Sequence, residues 1–385
     1  MHRRVATGGF LPILITLFVL APAFGQDVPL TPAPGKDVSG EKIGVLFGSY
    51  GDVDKVEEVE DLVKNTLHDE DMLPLPWVMR RFIAFWRWFQ DGEDIQSEYT
   101  AIGGGTNMRA RAQAQADAVA QKLRESGLDA SAYIGFAFTF PSVAEGLEKA
   151  QRAGIKRLFV YYQGPQHSRV TSFIVFRDVQ RYLVEHPEWD VQAVAIRSFA
   201  KDERYINMVA DGIRSRLATD FAGEPAADVC IFLPVHGNIL KWIEQGDPYL
   251  DQVMYDIDGI KKRFPDHPVY HGFQNHDMYA MTEWTEPAMD EALGIVAEDP
   301  CSSVMINGRL SYTVDNLETL FDHATESRHV LLEGHEGAAA KKKVTAEKMF
   351  NSDPVFVNLM ASLALEAMEQ KGDILPIPRS PPLKP

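Results

Sequence analysis

The chain has 385 residues, of which 45% are apolar and 24% charged, and its formal net charge is −17. That is a globular composition at a length suited to about two domains, which excludes a disordered chain, a collagen-like repeat and a multi-span membrane protein. The acidic balance excludes a general nucleic-acid grip, and two cysteines cannot build a disulfide scaffold, a four-thiolate zinc site or a cysteine-held iron–sulfur cluster.

Arg3 and Arg4 precede an apolar run over 10–21, and Ala23-Phe24-Gly25 puts small residues where a signal peptidase reads. The run is shorter than the ~20 residues a bilayer span needs. The expectation is a signal peptide over 1–25, cleaved near Gly25, and an exported chain, periplasmic or secreted. Residues 26–41 are rich in Pro and Gly and read as a linker.

Strands are then expected over 42–47, 132–138, 157–162 and 191–196, with helices over 53–67, 106–124, 143–153, 175–185 and 203–220. The rhythm restarts with strands over 228–235, 269–272 and 303–306. Helices follow over 247–264 and 287–298, from 315 onward, and over 355–369. Alternating strands and helices mean parallel sheets covered on both faces, so the fold class is α/β with two similar Rossmann-like or flavodoxin-like domains. The domains are placed at 42–205 and 206–350, with a closing helix over 353–370 that packs back on the first. The Pro-rich end, 371–385, reads as an unpacked tail.

In such sheets ligands sit beyond the carboxyl ends of the strands. That rule selects Ser49-Tyr50, residues 163–168, His236-Gly237 and the segment after Ile306. His236 follows an apolar strand, and a neutral imidazole there accepts a proton near pH 7 or binds a metal; the bland alternative is a hydrogen-bonded strand-end histidine. Glu318, Asp322 and Glu326 are spaced i, i+4 and i+8, which lines them along one helix face about 6 Å apart. Stacked like charges repel unless cations or protons share them, and carboxylates with one imidazole suit divalent iron; the alternative is an exposed acidic stripe.

Residues 75–89, LPWVMRRFIAFWRWF, set Trp77 and other aromatics among Arg80, Arg81 and Arg87 on a helix. It reads as a lip over a flat hydrophobic ligand bearing carboxylates, with a buried core helix and a weakly membrane-binding surface helix as alternatives. Gly103-Gly104-Gly105 matches neither GxGxxG nor a Walker loop, so tight packing is the default. Lys341-Lys342-Lys343 reads as a solvated turn, His167, His271, His276 and His335 as lone histidines. Whether Cys230 and Cys301 pair is left open.

Several segments, in order, resemble the ferrochelatase family, which inserts ferrous iron into a porphyrin. They are Gly44-Val45-Leu46-Phe47 with Ser49-Tyr50-Gly51, Tyr99-Thr100-Ala101-Ile102-Gly103-Gly104-Gly105-Thr106, and Pro165-Gln166-His167-Ser168. His236-Gly237 with Ile243 through Tyr249, Phe273-Gln274 with Trp284, and Asp315-Asn316-Leu317-Glu318-Thr319-Leu320 follow, and Phe350-Asn351 with Pro354 and Phe356 closes the match. The resemblance implies two chelatase-like domains with the porphyrin in the cleft between them. It implies His236 and Glu318 as the catalytic pair, and His236, Glu318, Asp322 and Glu326 as the groups that meet the metal. Tyr50, His167, Ser168, Phe273, Gln274, Trp284 and Trp77 are then expected around the porphyrin. No cofactor is required, since Fe2+ is itself a substrate; the partners are a porphyrin and a divalent metal, with the protein as monomer or homodimer.

The chain departs from the family at Asn316, where a histidine is usual, at Asn238-Ile239, at Thr106-Asn107 and at His167. The alternatives are an exported non-catalytic haem- or porphyrin-binding protein, a chelatase homologue acting on scavenged haem or on cobalt, and a divalent-metal binder using the acidic stripe alone.

Overall fold

The computed structural model describes residues 40–274, 282–333 and 342–379. The expected signal peptide, most of the linker, His276, His335, Lys341 and the last six residues lie outside the described residues.

The described residues form two sheets. The first holds β1 (Lys42–Ser49), β2 (Asp129–Phe136), β3 (Arg157–Tyr162) and β4 (Gln192–Ile196), all parallel, with β9 (Ile374–Pro376) antiparallel on its edge, in the order β2-β1-β3-β4-β9. The second holds β5 (Val229–His236), β6 (Val269–Gln274), β7 (Ser303–Ile306) and β8 (Lys343–Ala346), parallel throughout, in the order β6-β5-β7-β8. The central strands are unbroken apolar runs because helices cover both faces, so neither face selects polar residues.

The helices begin where capping residues stand. Ser142 and Glu145 form a capping box at α4 (Val143–Arg152), Asp202 caps α6 (Glu203–Asp220), and Asp353 caps α11 (Pro354–Met368), whose Pro354 needs no N–H there. One continuous core runs from β1 and α3 (Met108–Glu125) through α6 and α11 to β5 and α8 (Tyr249–Arg263). The Tyr161 hydroxyl donates to the Met360 carbonyl at 2.8 Å and ties α11 to the first sheet.

Buried carboxylates stitch the two sheets together. Asp247 accepts from Ser168 Oγ (3.1 Å) and the Arg169 N–H (2.8 Å), and Asp256 from the Lys201 N–H (2.8 Å) and Gln166 Nε2 (3.2 Å). Asp315 pairs with Arg111 and accepts from the Met349 N–H at 3.0 Å. These bonds fix how the strand ends of one sheet face those of the other.

Three expectations are corrected. The tail is not unpacked throughout: β9 pairs with β4, and the Ile377 N–H donates to the Ala193 carbonyl at 3.0 Å with Ile377 buried. A Pro-rich segment is already extended, and at a sheet edge its missing N–H groups can face outward. Of the solvated turn expected at Lys341-Lys342-Lys343, the described part differs: Lys343 opens β8 and Lys342 is buried, its ammonium donating to the Asp299 carbonyl at 2.7 Å. The helix read up to Phe89 is α2 (Trp77–Ala101), 25 residues long, because neither Gly92 nor the acidic residues after it interrupt its inner apolar line.

Candidate active site

β5 ends in His236, whose main-chain carbonyl accepts from the Tyr249 hydroxyl at 2.5 Å. The ring Nδ1 lies 2.5 Å from the Gly237 carbonyl, which can only accept, so the proton is assigned to Nδ1. Nε2 lies 3.5 Å from Glu318 Oε1, and both side chains are half-buried, at 28% and 19% exposure. An imidazole nitrogen this close to a carboxylate favours a proton or a cation between the two.

Glu318 opens a π-helix (Glu318–Glu326) that runs on into α10 (Ser327–Glu333). An α-helix was the expectation. Local chemistry accounts for the wider turn: Thr325 Oγ1 donates to the Leu320 carbonyl at 3.1 Å and Ser327 Oγ to the Asp322 carbonyl at 2.6 Å, each five residues back. Such turns are rare and concentrate at functional sites. Glu318 and Asp322 are half-buried and Glu326 exposed, so the three carboxylates step from His236 toward solvent.

Around Glu318 the structure brings together Asn316 and Gln274, both noted in the sequence, with tyrosines and a histidine to which sequence reasoning gave no role. Asn316 Nδ2 lies 3.4 Å from Glu318 Oε2 and Tyr312 hydrogen-bonds to Glu318. Burial, with the Glu318 charge adding to it, holds the hydroxyls of Tyr99, Tyr162, Tyr249 and Tyr312 above the usual phenol range, so all four stay protonated donors. Gln274 at the end of β6 donates to Asp322 and accepts from the Tyr312 hydroxyl and from His323 Nε2–H, each at 3.3 Å. His323 is buried and pushed down to about 4 by desolvation, so it is neutral. Asp52, just past β1, is pushed up to about 6 by burial.

The remaining expected porphyrin contacts divide. Trp284 is half-buried and bridges Ile239, in the loop after His236. Tyr50 packs edge-on against Phe138 and donates to Thr66 Oγ1 at 2.8 Å. Ser168 is spent on the seam with Asp247. His167 Nδ1 lies 2.6 Å from Ser172 Oγ, with the ring stacked on Phe176, and desolvation pushes it down to about 3. Phe273 is wholly buried in the core, because β6 carries apolar packing on that face, and it cannot meet a porphyrin directly. Trp77 stands at the outer end of α2, 63% exposed.

Cys230 and Cys301 form a disulfide that ties the start of β5 to the residues before β7.

An imidazole nitrogen set against a carboxylate, at the mouth of two facing α/β sheets, suits an enzyme that handles a metal ion and protons together. Comparison with known proteins places the chain in that class: it is a metal chelatase. It belongs to the ferrochelatase family, whose model matches residues 42–368. The ferrochelatase of Trichodesmium erythraeum is 27% identical over 336 residues, which is 85% of this chain and 83% of that protein. The ferrochelatase of Geobacter metallireducens is 27% identical over 329 residues, 85% of this chain and 99% of that protein. Among solved structures, SirB from Bacillus subtilis with Fe3+ aligns over 86% of this chain and 99% of its own, with a TM-score of 0.49 and 13% identity.

Proposed function

We propose that this chain inserts Fe2+ into a porphyrin, protoporphyrin or coproporphyrin, as a step of haem synthesis, with His236 and Glu318 as the central pair. The observation that carries the reading is His236 Nε2 standing 3.5 Å from Glu318 Oε1 at the end of β5. In the balanced reaction the free-base macrocycle gives up two pyrrole N–H protons and receives the dication, so no electron changes hands and no cofactor takes part. His236 Nε2 accepts a pyrrole proton. Glu318, held by Tyr312 and Asn316, meets the ion or passes the second proton outward. Asp322 and Glu326 supply hard oxygen ligands along the way to solvent. Tyr50, Gln274 and Trp284 border the porphyrin, whereas His167 and Ser168 reach it only through the seam they support.

Two further parts of the reading concern where the protein works. Export is supported by the residues at 1–25 and by the Cys230–Cys301 disulfide, since such bonds persist in oxidising compartments. Weak contact with a membrane surface is supported by α2, whose first half carries three arginines, no acidic residue and a band of exposed aromatic side chains.

The test is His236→Ala. Metallation should fall on the order of 100-fold or more, the range of a lost general base, while free porphyrin still binds with near-native affinity. Retained full turnover would remove His236 from the mechanism.

A further inference from the structure

The motif from Tyr99 to Thr106 carries no phosphate signature, yet it converges on one buried carboxylate. Asp52 lies in the loop after β1 and is 4% exposed. Its Oδ1 accepts the Tyr99 hydroxyl at 2.5 Å and the Val53 N–H at 2.7 Å. Its Oδ2 accepts the Leu317 N–H at 2.9 Å, from 265 residues away. Among the described residues no Lys or Arg forms an ion pair with it.

The loop is held in place from below. The Thr106 N–H donates to the Val53 carbonyl at 2.9 Å. Gly105 lies so close to the Asp54 backbone that a Cβ there would collide with the Asp54 carbonyl, which accounts for glycine at that position. Leu317 is the residue on which the π-helix starts, and the first N–H groups of a helix have no partner within it. Asp52 takes one of them from the other side of the cleft.

We propose that Asp52 is a positioning residue for Glu318: by gripping the amide of Leu317, with Tyr99 orienting it, it sets where the Glu318 carboxylate stands against His236. This rests on the reading of Glu318 given above. Asp52 touches neither porphyrin nor metal and acts only through the residue it holds. Tyr99, Gly105 and Thr106 thereby gain a part in the chemistry, although they lie outside the pair that performs it.

The experiment is a double-mutant cycle on the full chain, read by anaerobic metallation kinetics and by Co2+ titration of the porphyrin-free protein. Asp52→Asn should lower kcat about tenfold or more and leave KM for porphyrin within about twofold. In a Glu318→Gln background the same change should cost nothing further, and the Co2+ affinity should fall alike in both single variants and no further in the double. Tyr99→Phe keeps the carboxylate and removes one donor, so it should show a smaller kcat loss with the same non-additivity if Asp52→Asn fails to fold. Additive losses, or a KM increase with kcat intact, would overturn this proposal alone. Full turnover in Glu318→Gln by itself would overturn the role given to Glu318, and this proposal with it.

Discussion

Tyr312 is the residue whose loss separates positioning from packing at Glu318. Its single hydroxyl proton is shared between Glu318 and the Gln274 amide oxygen, which His323 also serves, so Tyr312→Phe removes one donor from that pair of acceptors. The expected outcome is a kcat roughly tenfold lower with unchanged thermal stability, measured by initial rates and a melting curve; a melting point several degrees lower with normal kcat would assign Tyr312 to the core instead. At this scale the sequence was only partly legible. His236 and Glu318 stand at the ends of elements whose periods are plain, so position and residue type pointed to them. Asp52, Tyr312 and His323 acquire meaning only from partners far along the chain, and no local pattern announces such a partner. Phe273 was misplaced because a strand covered on both faces leaves no polar alternation to show which side chain faces the cleft.

Elements carry two further tests. On α2, Val78, Phe82, Phe85 and Phe89 follow one another at helical spacing, with Phe82 66% and Phe89 72% exposed. With Trp77, Met79 and Trp86 they form an apolar band on the order of 800 Å², above the few hundred expected of a free surface. Sedimentation with vesicles of phosphatidylcholine and phosphatidylglycerol should bring the protein down, and Phe82→Asp with Phe85→Asp should abolish this without changing metallation of a detergent-dispersed porphyrin. Equal sedimentation of the variant would remove α2 from membrane contact. The disulfide is the second element-level test. It closes a loop between residues 71 apart, and Cys230→Ser with Cys301→Ser should cost roughly 2–5 kcal/mol in denaturant unfolding. Protein recovered from its native compartment should be lighter by two hydrogens than its reduced form; free thiols there would argue against export. Strand and helix succession was readable here, since buried strands and amphipathic helices have opposite periods. The π-helix was not, because a spacing of four suits an α-turn equally well and the wider turn is decided by Thr325 and Ser327.

The whole molecule depends on the aspartates that join its sheets. Burial pushes Asp52 up to about 6 and Asp256 up to about 7, and Asp247 moves the same way. An acid whose folded pKa is raised keeps its proton in the native state where the unfolded chain has released it, so stability falls as pH rises from about 4 through 7. Carboxylates held low by arginine, such as Asp69 beside Arg177, work oppositely and lose their contribution only below about 4. The melting temperature should therefore be higher near pH 5.5 than at pH 8, the unfolding free energy differing by on the order of 2 kcal/mol, and Asp256→Asn should flatten that slope. A melting temperature that rises toward pH 8 would contradict the seam as described. The two-sheet architecture was legible as a repeated rhythm; the seam was not, since its residues are ordinary polar ones until the halves meet. The most direct test of the central claim is anaerobic absorbance of the purified protein with protoporphyrin or coproporphyrin and Fe2+. Conversion of the free-base spectrum to that of haem, over many equivalents per protein and lost in His236→Ala, is the predicted result. A shift that saturates at one equivalent, with no metallation above a protein-free control, would contradict it.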